Sequence, residues 1–132
     1  MAFVHPLRVQ FFEVDLQGVV FNMWYLAWFD NAMTAYLAEL GFPYDAMKDL
    51  GWDVQLVHTE VDWRGGATFG DELGVEVTTD RIGATSFTLA FRVVRGEEEL
   101  VTAKTVYVVV GVDDYRKRAV PDDLRKALDP SG

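Results

Sequence analysis

The residues best suited to chemistry lie in one stretch, where Asp15 stands shortly before Asn22 and the start of a long apolar segment. Gly18 lies between them and gives the loop the freedom to fold back. If the apolar segment is a helix, its first turn has N–H groups without intrahelical acceptors and carries a partial positive charge. An electron-rich oxygen is stabilised there, and a carboxylate held beside it stays ionised. Asp15 is therefore predicted to be a nucleophile or a general base rather than a general acid.

The segment from about Met23 to Leu40 predicts the helix that positions this chemistry. Tyr25 and Phe29 begin one apolar stripe with the helical period, and a second apolar stripe lies beside it. A helix that is apolar on nearly all sides is a buried helix, so other elements must wrap it. Asn22 has the residue type that caps a helix start, and Gly41 suits the left-handed turn that ends one.

The remainder of the chain predicts a sheet with two short helical segments. The predicted strands are Leu7 to Val14, which ends at Asp15, and segments at Val57–Trp63, Leu73–Thr78, Phe87–Val93 and Leu100–Val112. The last of these strands has no polar face near its end, so it is predicted to be covered on both sides and central. The predicted helical segments are Pro43–Leu50 and Pro121–Leu128. Residues 1–132 are predicted to form a single α+β domain with the sheet curled around the helix.

Two motifs give the chain a resemblance to a known family. The residues Asp15, Gly18, Val19, Val20, Tyr25 and Leu26 resemble the pattern D-x-x-G-V-V-x-x-x-x-Y-L. This pattern is typical of hotdog-fold acyl-CoA thioesterases, the group that includes 4-hydroxybenzoyl-CoA thioesterase and the Tol–Pal-associated thioesterases. The segment Trp63–Leu73 looks like that family's Y-x-x-P-A-x-x-G-D-x-L pattern. The resemblance implies a hotdog fold, in which a five-stranded, mainly antiparallel sheet wraps one long buried helix.

The resemblance also implies an activity, the hydrolysis of an acyl- or aryl-CoA thioester to the free acid and CoA. Asp15 would attack the carbonyl carbon or activate a water, and the sequence leaves both routes open. The backbone N–H of Asn22 would bind the carbonyl oxygen. No cofactor is implied, and the family's dimers or pairs of dimers suggest a homodimer or homotetramer. The residues expected to contact the substrate are Gly18, Phe21, Trp24 and Tyr25.

Two other functions remain open at this point. The chain departs from the family pattern at Asn22, Trp24 and Gly66, which would suit a non-catalytic hotdog module that binds acyl-CoA as a sensor or a partner subunit. A hotdog dehydratase acting on hydroxyacyl thioesters would use a histidine with a carboxylate. Neither His5 nor His58 stands in a motif that supports this chemistry.

Composition restricts the partners further. A net charge of -9 argues against binding to nucleic acid. The chain has no cysteine and only 2 histidines, so cysteine nucleophiles are excluded and no metal site is expected. No apolar run approaches the roughly 20 residues of a membrane helix, and the start of the chain lacks a secretion signal, so a cytoplasmic protein is expected. The candidates for contacts with CoA phosphates are Arg64, Arg81, Lys104 and the run from Arg116 to Arg118.

Overall fold

The longest helix, α1, provides the axis of the fold, which the computed structural model describes for residues 3–131. Helix α1 spans Asn22–Glu39, within one residue of the prediction at each end. The prediction that Asn22 caps this helix is wrong, because Asn22 is its first helical residue and the extended Phe21 is the N-cap. Phe21 is kept extended by its N–H, which donates to the Glu13 carbonyl at 2.9 Å. After the helix, Gly41 adopts a φ of 102°, which is the predicted left-handed turn.

Five strands pair in one antiparallel sheet that packs against α1. The strands are β1 (Phe3–Arg8), β2 (Trp52–Trp63), β3 (Glu72–Ile82), β4 (Ser86–Arg95) and β5 (Glu98–Gly111). Their order across the sheet is β1-β3-β4-β5-β2, so β1 and β2 are the edges. The predicted α+β class is confirmed. Strand β5 is interior, as its apolar character predicted, but β4 rather than β5 occupies the centre.

The prediction of a first strand from Leu7 to Val14 is wrong. Strand β1 ends at Arg8, and Phe11–Glu13 forms a 3-10 turn instead. The reason is local, because the Glu13 carboxylate turns back to accept from the Gln10 N–H at 2.7 Å and thereby stabilises the turn. Asp15 therefore does not lie at the end of a strand but in a loop.

Two short helices occur where the sequence predicted helical segments. Helix α2 spans Tyr44–Asp49 and helix α3 spans Asp122–Leu128, each directly after a proline. Met47 of α2 and Leu124 of α3 are buried in the core. Among the helices of residues 3–131, none combines the length and the apolar character needed to cross a membrane.

The two sides of α1 differ in burial. Tyr25, Phe29 and Ala32 face the sheet and are almost completely buried, and the Phe29 ring lies 5.0 Å from the Phe91 ring. On the opposite flank, Met23 is 65% exposed and Leu26 is 42% exposed. The sheet of one chain therefore covers one side of the apolar helix and leaves part of the other side open.

Candidate active site

A closed loop places Asp15 beside the start of α1. Val14 and Val20 form an isolated antiparallel bridge that closes the loop at its base. Inside it, the Asp15 N–H donates to the Val19 carbonyl at 2.9 Å, and the Gly18 N–H donates to the Asp15 carbonyl at 3.0 Å. Gly18 has a φ of 81°, a conformation that glycine adopts without steric cost. Because the chain runs from this loop through Phe21 directly into α1, the loop that carries Asp15 adjoins the start of the helix.

The carboxylate of Asp15 is bound on one oxygen only. Its Oδ1 atom accepts from the Gln17 N–H at 2.8 Å, which is the usual geometry of an Asx turn. Within residues 3–131, no hydrogen bond to the Oδ2 atom is present. The side chain is partly exposed. One oxygen is therefore oriented by the loop while the other is available for a reaction.

The first turn of α1 presents backbone donors next to this loop. The Trp24 N–H donates to the Phe21 carbonyl at 3.0 Å. In the described part of the chain, no oxygen accepts from the N–H of Asn22 or of Met23, and both residues are exposed. Such free donors at a helix start can stabilise negative charge on a carbonyl oxygen.

The second motif of the sequence packs directly against the first. The Val20 N–H donates to the Ala67 carbonyl at 2.9 Å, and the Ala67 N–H donates to the Tyr25 hydroxyl at 3.2 Å. A Cβ atom added to Gly66 would lie 3.3 Å from Val19 Cγ1, so the two segments are in close contact there. The two motifs, which are far apart in sequence, therefore pack together in the fold.

An ion pair holds the second motif in place. Asp71 Oδ2 accepts from the Thr68 N–H at 2.9 Å and from Arg95 Nη1 at 2.7 Å. The Thr68 N–H, together with the Arg95 guanidinium, lowers the pKa of Asp71. The segment after Ala67 is thus anchored to strand β4 by an ionised carboxylate.

The predicted substrate contacts differ in accessibility. Phe21 is 46% exposed, and Trp24 is partly exposed with its ring 5.3 Å from the Phe12 ring. Tyr25 is 1% exposed, and burial raises the pKa of its hydroxyl, which already binds the Ala67 N–H. Phe21, Trp24 and the exposed Gly18 are therefore open to a ligand, whereas Tyr25 supports the site from beneath. Contact of these four residues with a substrate remains a prediction.

Sequence reasoning missed Glu13. This residue is 7% exposed, and its Oε2 atom accepts from the indole N–H of Trp28 at 2.8 Å. The available signal was a charged residue among the apolar Phe11, Phe12 and Val14, directly before the Asp15 loop. Nothing in that pattern identified Trp28 as the partner, because the contact depends on how the loop folds onto α1.

A cavity of about 260 Å³ lies further along α1. Asn22, Leu26 and Asp30 occur at i, i+4 and i+8, so the exposed flank of α1 leads from the helix start towards this cavity. Its lining is apolar at Met33, Leu37, Phe42, Met47 and Val54 and polar at Asp30, Thr34, Tyr44 and Asp53. The cavity can accept an apolar group whose outer part is polar.

Several basic candidates for phosphate contacts have acidic neighbours. Arg64 Nε lies 3.2 Å from Glu99, and Lys104 Nζ lies 3.5 Å from Asp80. Arg81 and the run from Arg116 to Arg118 are exposed. Their binding of phosphates remains a prediction. Across residues 3–131, no group of three or more His, Cys, Asp or Glu side chains has an arrangement that could hold a metal ion.

A sequence profile described as the Thioesterase-like superfamily matches residues 9–128 of this chain. The chain belongs to this superfamily. The acyl-CoA thioesterase YbgC of Haemophilus influenzae is 26% identical over 128 residues, which cover 96% of this chain and 94% of that protein. The 1,4-dihydroxy-2-naphthoyl-CoA hydrolase of Synechococcus sp. strain CC9605 is 24% identical over 129 residues, which cover 93% and 87%.

The similarity to known proteins extends to their three-dimensional structures. The crystal structure of a hypothetical protein from Aquifex aeolicus matches with a TM-score of 0.91 and 26% identity, covering 96% of this chain and 99% of that one. The predictions of a hotdog fold and of a thioesterase are confirmed by these comparisons. The individual roles of Asp15 and Asn22 remain predictions.

Proposed function

We propose that this thioesterase hydrolyses an acyl- or aryl-CoA thioester to the free acid and CoA, with Asp15 and the start of α1 as the reacting groups. The observation that carries the proposal is a half-bound carboxylate in a closed loop that continues through Phe21 into a helix start with two backbone N–H groups without acceptors. Similarity to an acyl-CoA thioesterase and to an aryl-CoA hydrolase supports CoA as the carrier.

In the proposed reaction, the thioester carbonyl oxygen binds the Asn22 N–H. Negative charge develops on this oxygen in the transition state, and each such donor typically contributes about 3 kcal/mol. Asp15 either attacks the carbonyl carbon or removes a proton from an attacking water. In the first route the C–S bond breaks, CoA leaves as the thiolate, and water hydrolyses the mixed anhydride. Both routes give the free acid and CoA.

The exposed flank of α1 is the proposed path of the acyl group. Asp30 lies eight positions after Asn22, a distance of about 12 Å along the helix at 1.5 Å per residue. An extended acyl group would pass Leu26 and reach the cavity at Met33, whereas a short one would stop before it. We expect Met33→Phe to shift the preference towards shorter acyl groups, measured as kcat/KM across a series of chain lengths. An unchanged preference would show that the acyl group takes another path.

The proposal includes one hotdog domain over residues 1–132, a cytoplasmic location and a homodimer or homotetramer. Strand β2 is a sheet edge of 12 residues. Leu56, Val57 and Trp63 are about half exposed on it, and long apolar edges of this kind tend to pair. A second copy of the chain could cover this edge by isologous pairing. Light scattering on the purified protein measures the mass, and a monomer at micromolar concentration would contradict this part.

The test of the reaction is thiol release from short, long and aromatic acyl-CoAs by the wild type and by Asp15→Ala and Asp15→Asn. We expect both variants to lose about 10³-fold or more in kcat. Asp49→Asn is the matched control, because Asp49 is an exposed carboxylate at the end of α2, away from the loop. Wild-type rates in the Asp15 variants would overturn the proposed role. Acyl-CoA binding without thiol release by the wild type would instead favour a non-catalytic acyl-CoA-binding module.

A further inference from the structure

Glu13 is a buried carboxylate that the proposed reaction does not use. Of residues 3–131, the buried polar or charged ones are Glu13 and Thr105. Glu13 joins three parts of the site, since Oε1 accepts from the Gln10 N–H at 2.7 Å and Oε2 accepts from Trp28 Nε1 at 2.8 Å. Its backbone carbonyl accepts from the Phe21 N–H at 2.9 Å. One residue thus connects the segment before the loop, the N-cap of α1 and the interior of α1.

The chemistry of these contacts requires a carboxylate. Both side-chain partners of Glu13 are N–H donors, and a carboxylate offers only acceptors. A glutamine in the same place would direct its NH2 group at one of the two donors. Burying a charge is costly unless it is well hydrogen-bonded, so an apolar residue would be the simpler way to fill the space. The contacts of Glu13 therefore indicate a role beyond filling the core.

The position of Glu13 shows what its contacts would control. Glu13 and Phe21 flank the closed loop that carries Asp15, and their backbones are hydrogen-bonded to each other. The Trp28 ring, in turn, packs edge-on against the Tyr25 ring at 4.8 Å, and the Tyr25 hydroxyl binds the Ala67 N–H. The loop is internally closed by its own backbone bonds, so the Glu13–Trp28 bond acts on the orientation of the whole loop relative to α1.

We propose that Glu13 is a positioning residue, which through Trp28 holds the Asp15 loop at a fixed orientation over the first turn of α1. This inference rests on the proposed role of Asp15. Loss of the Glu13–Trp28 bond leaves the loop closed but lets it shift as a unit against the Asn22 N–H. A shift of about 1 Å between reacting groups can lower a rate by about 100-fold. Because Glu13 is buried away from the ligand surface, substrate affinity should change little.

The experiment compares thiol release by Glu13→Gln, Trp28→Phe and the double variant, each assayed where circular dichroism shows it folded. We expect Glu13→Gln to lower kcat by about 10- to 100-fold with KM within about 3-fold of wild type. Trp28→Phe removes the indole donor, so in the double variant the glutamine oxygen can accept from the Gln10 N–H and its NH2 group no longer opposes a donor. Because both single variants disturb the same Glu13–Trp28 bond, the double variant should have about the kcat of Trp28→Phe alone rather than the product of the two losses.

Thr105→Val is the matched control, because Thr105 is the other buried polar residue and its hydroxyl binds Thr59 Oγ1 at 2.8 Å. It should lower stability without lowering kcat of the folded enzyme. A wild-type kcat in Glu13→Gln, or a double variant whose losses simply multiply, would overturn the positioning role. If Glu13→Gln does not fold, Trp28→Phe alone tests the bond, and a wild-type kcat there would overturn it.

Asp15→Ala is assayed in parallel so that the two proposals can fail separately. If Asp15→Ala is as active as wild type, the proposed reaction is wrong and the positioning role falls with it. If Asp15→Ala is inactive and Glu13→Gln has the wild-type kcat, only the positioning role is overturned.

Discussion

Glu13 and Asp15 are carboxylates two positions apart with opposite surroundings. Both oxygens of Glu13 accept hydrogen bonds, and the side chain is 7% exposed. Asp15 is partly exposed, and of its two oxygens Oδ1 accepts from the Gln17 N–H. The first carboxylate is fully used by the fold, whereas the second keeps an oxygen for chemistry. A reactive group is therefore recognised less by its residue type than by the contacts that the fold leaves unmade.

The largest expected effect is a difference in the free energy of unfolding between alanine variants of these two carboxylates. Glu13→Ala leaves the Trp28 and Gln10 N–H groups without their acceptor, and we expect it to lower the free energy of unfolding by about 2–4 kcal/mol. Asp15→Ala should change it by less than about 1 kcal/mol, because its bond to the Gln17 N–H is exposed. Urea unfolding monitored by tryptophan fluorescence measures both. Equal losses would remove the distinction between the two carboxylates.

Tyr25 extends the comparison to a buried hydroxyl that the fold uses as a hydrogen-bond acceptor. Tyr25→Phe removes the acceptor of the buried Ala67 N–H, and we expect a loss of about 1–3 kcal/mol in the free energy of unfolding. Tyr36→Phe is the control, since the Tyr36 hydroxyl binds Thr79 Oγ1 in a partly buried place remote from the loop. The control should cost less, because water can reach the Thr79 hydroxyl. A larger loss in Tyr36→Phe would contradict the expected order.

Alanine variants of two glycines distinguish an effect on kcat from an effect on the free energy of unfolding. Gly18 and Gly96 both have positive φ, 81° and 62°, and an added Cβ would meet nothing within 4 Å at either. Alanine at each should therefore cost a similar amount, about 1 kcal/mol, in the free energy of unfolding. Only Gly18→Ala should also lower kcat, because Gly18 shapes the turn around Asp15. Equal kcat values in the two variants would show that the loop tolerates the change.

The smallest effect concerns the dependence of stability on pH. The pKa of Asp71 is lower in the folded chain than in the unfolded one, so the unfolded chain binds this proton first as the pH falls. The stabilisation from Asp71 is present above its unfolded pKa of about 4 and is lost as the pH falls through the folded value. Asp71→Asn should therefore lose less stability than wild type between about pH 6 and pH 3. Parallel unfolding curves for the two proteins across this range would contradict the prediction.

The elements of the fold that depend on local patterns were predictable from the sequence. Helix α1 begins and ends within one residue of its prediction, because its apolar period and Gly41 are local signals. Alternation predicts β2, β3 and β4, and a nearly continuous apolar run predicts β5, although β2 begins at Trp52, earlier than predicted. Its first residues pair with the end of β5, and that pairing is a property of the sheet rather than of the segment.

The errors near the site have a common physical cause. The first strand was predicted to continue to Val14, and Asn22 was predicted to cap α1, because both residue types favour those roles. In the fold, the Glu13 side chain accepts from the Gln10 N–H in a local turn that follows the end of the strand. The Glu13 carbonyl accepts from the Phe21 N–H, and Phe21 rather than Asn22 is the N-cap, so the helix begins one residue earlier than predicted. Residue preferences are weaker than such contacts. The same contacts explain why the sequence alone does not identify Glu13 as a supporting residue.

The hydrogen bonds of Ala67 to Val20 and Tyr25 also constrain the order of the folding steps. They connect segments more than 40 positions apart, so chain closure over that span must come before the site exists. The helix can form early from local contacts, whereas the edge-to-edge order of the sheet depends on distant pairings that form slowly. During refolding, helical signal should therefore return before thiol release does. The recovery of enzymatic activity would then report the rate of the last step of folding.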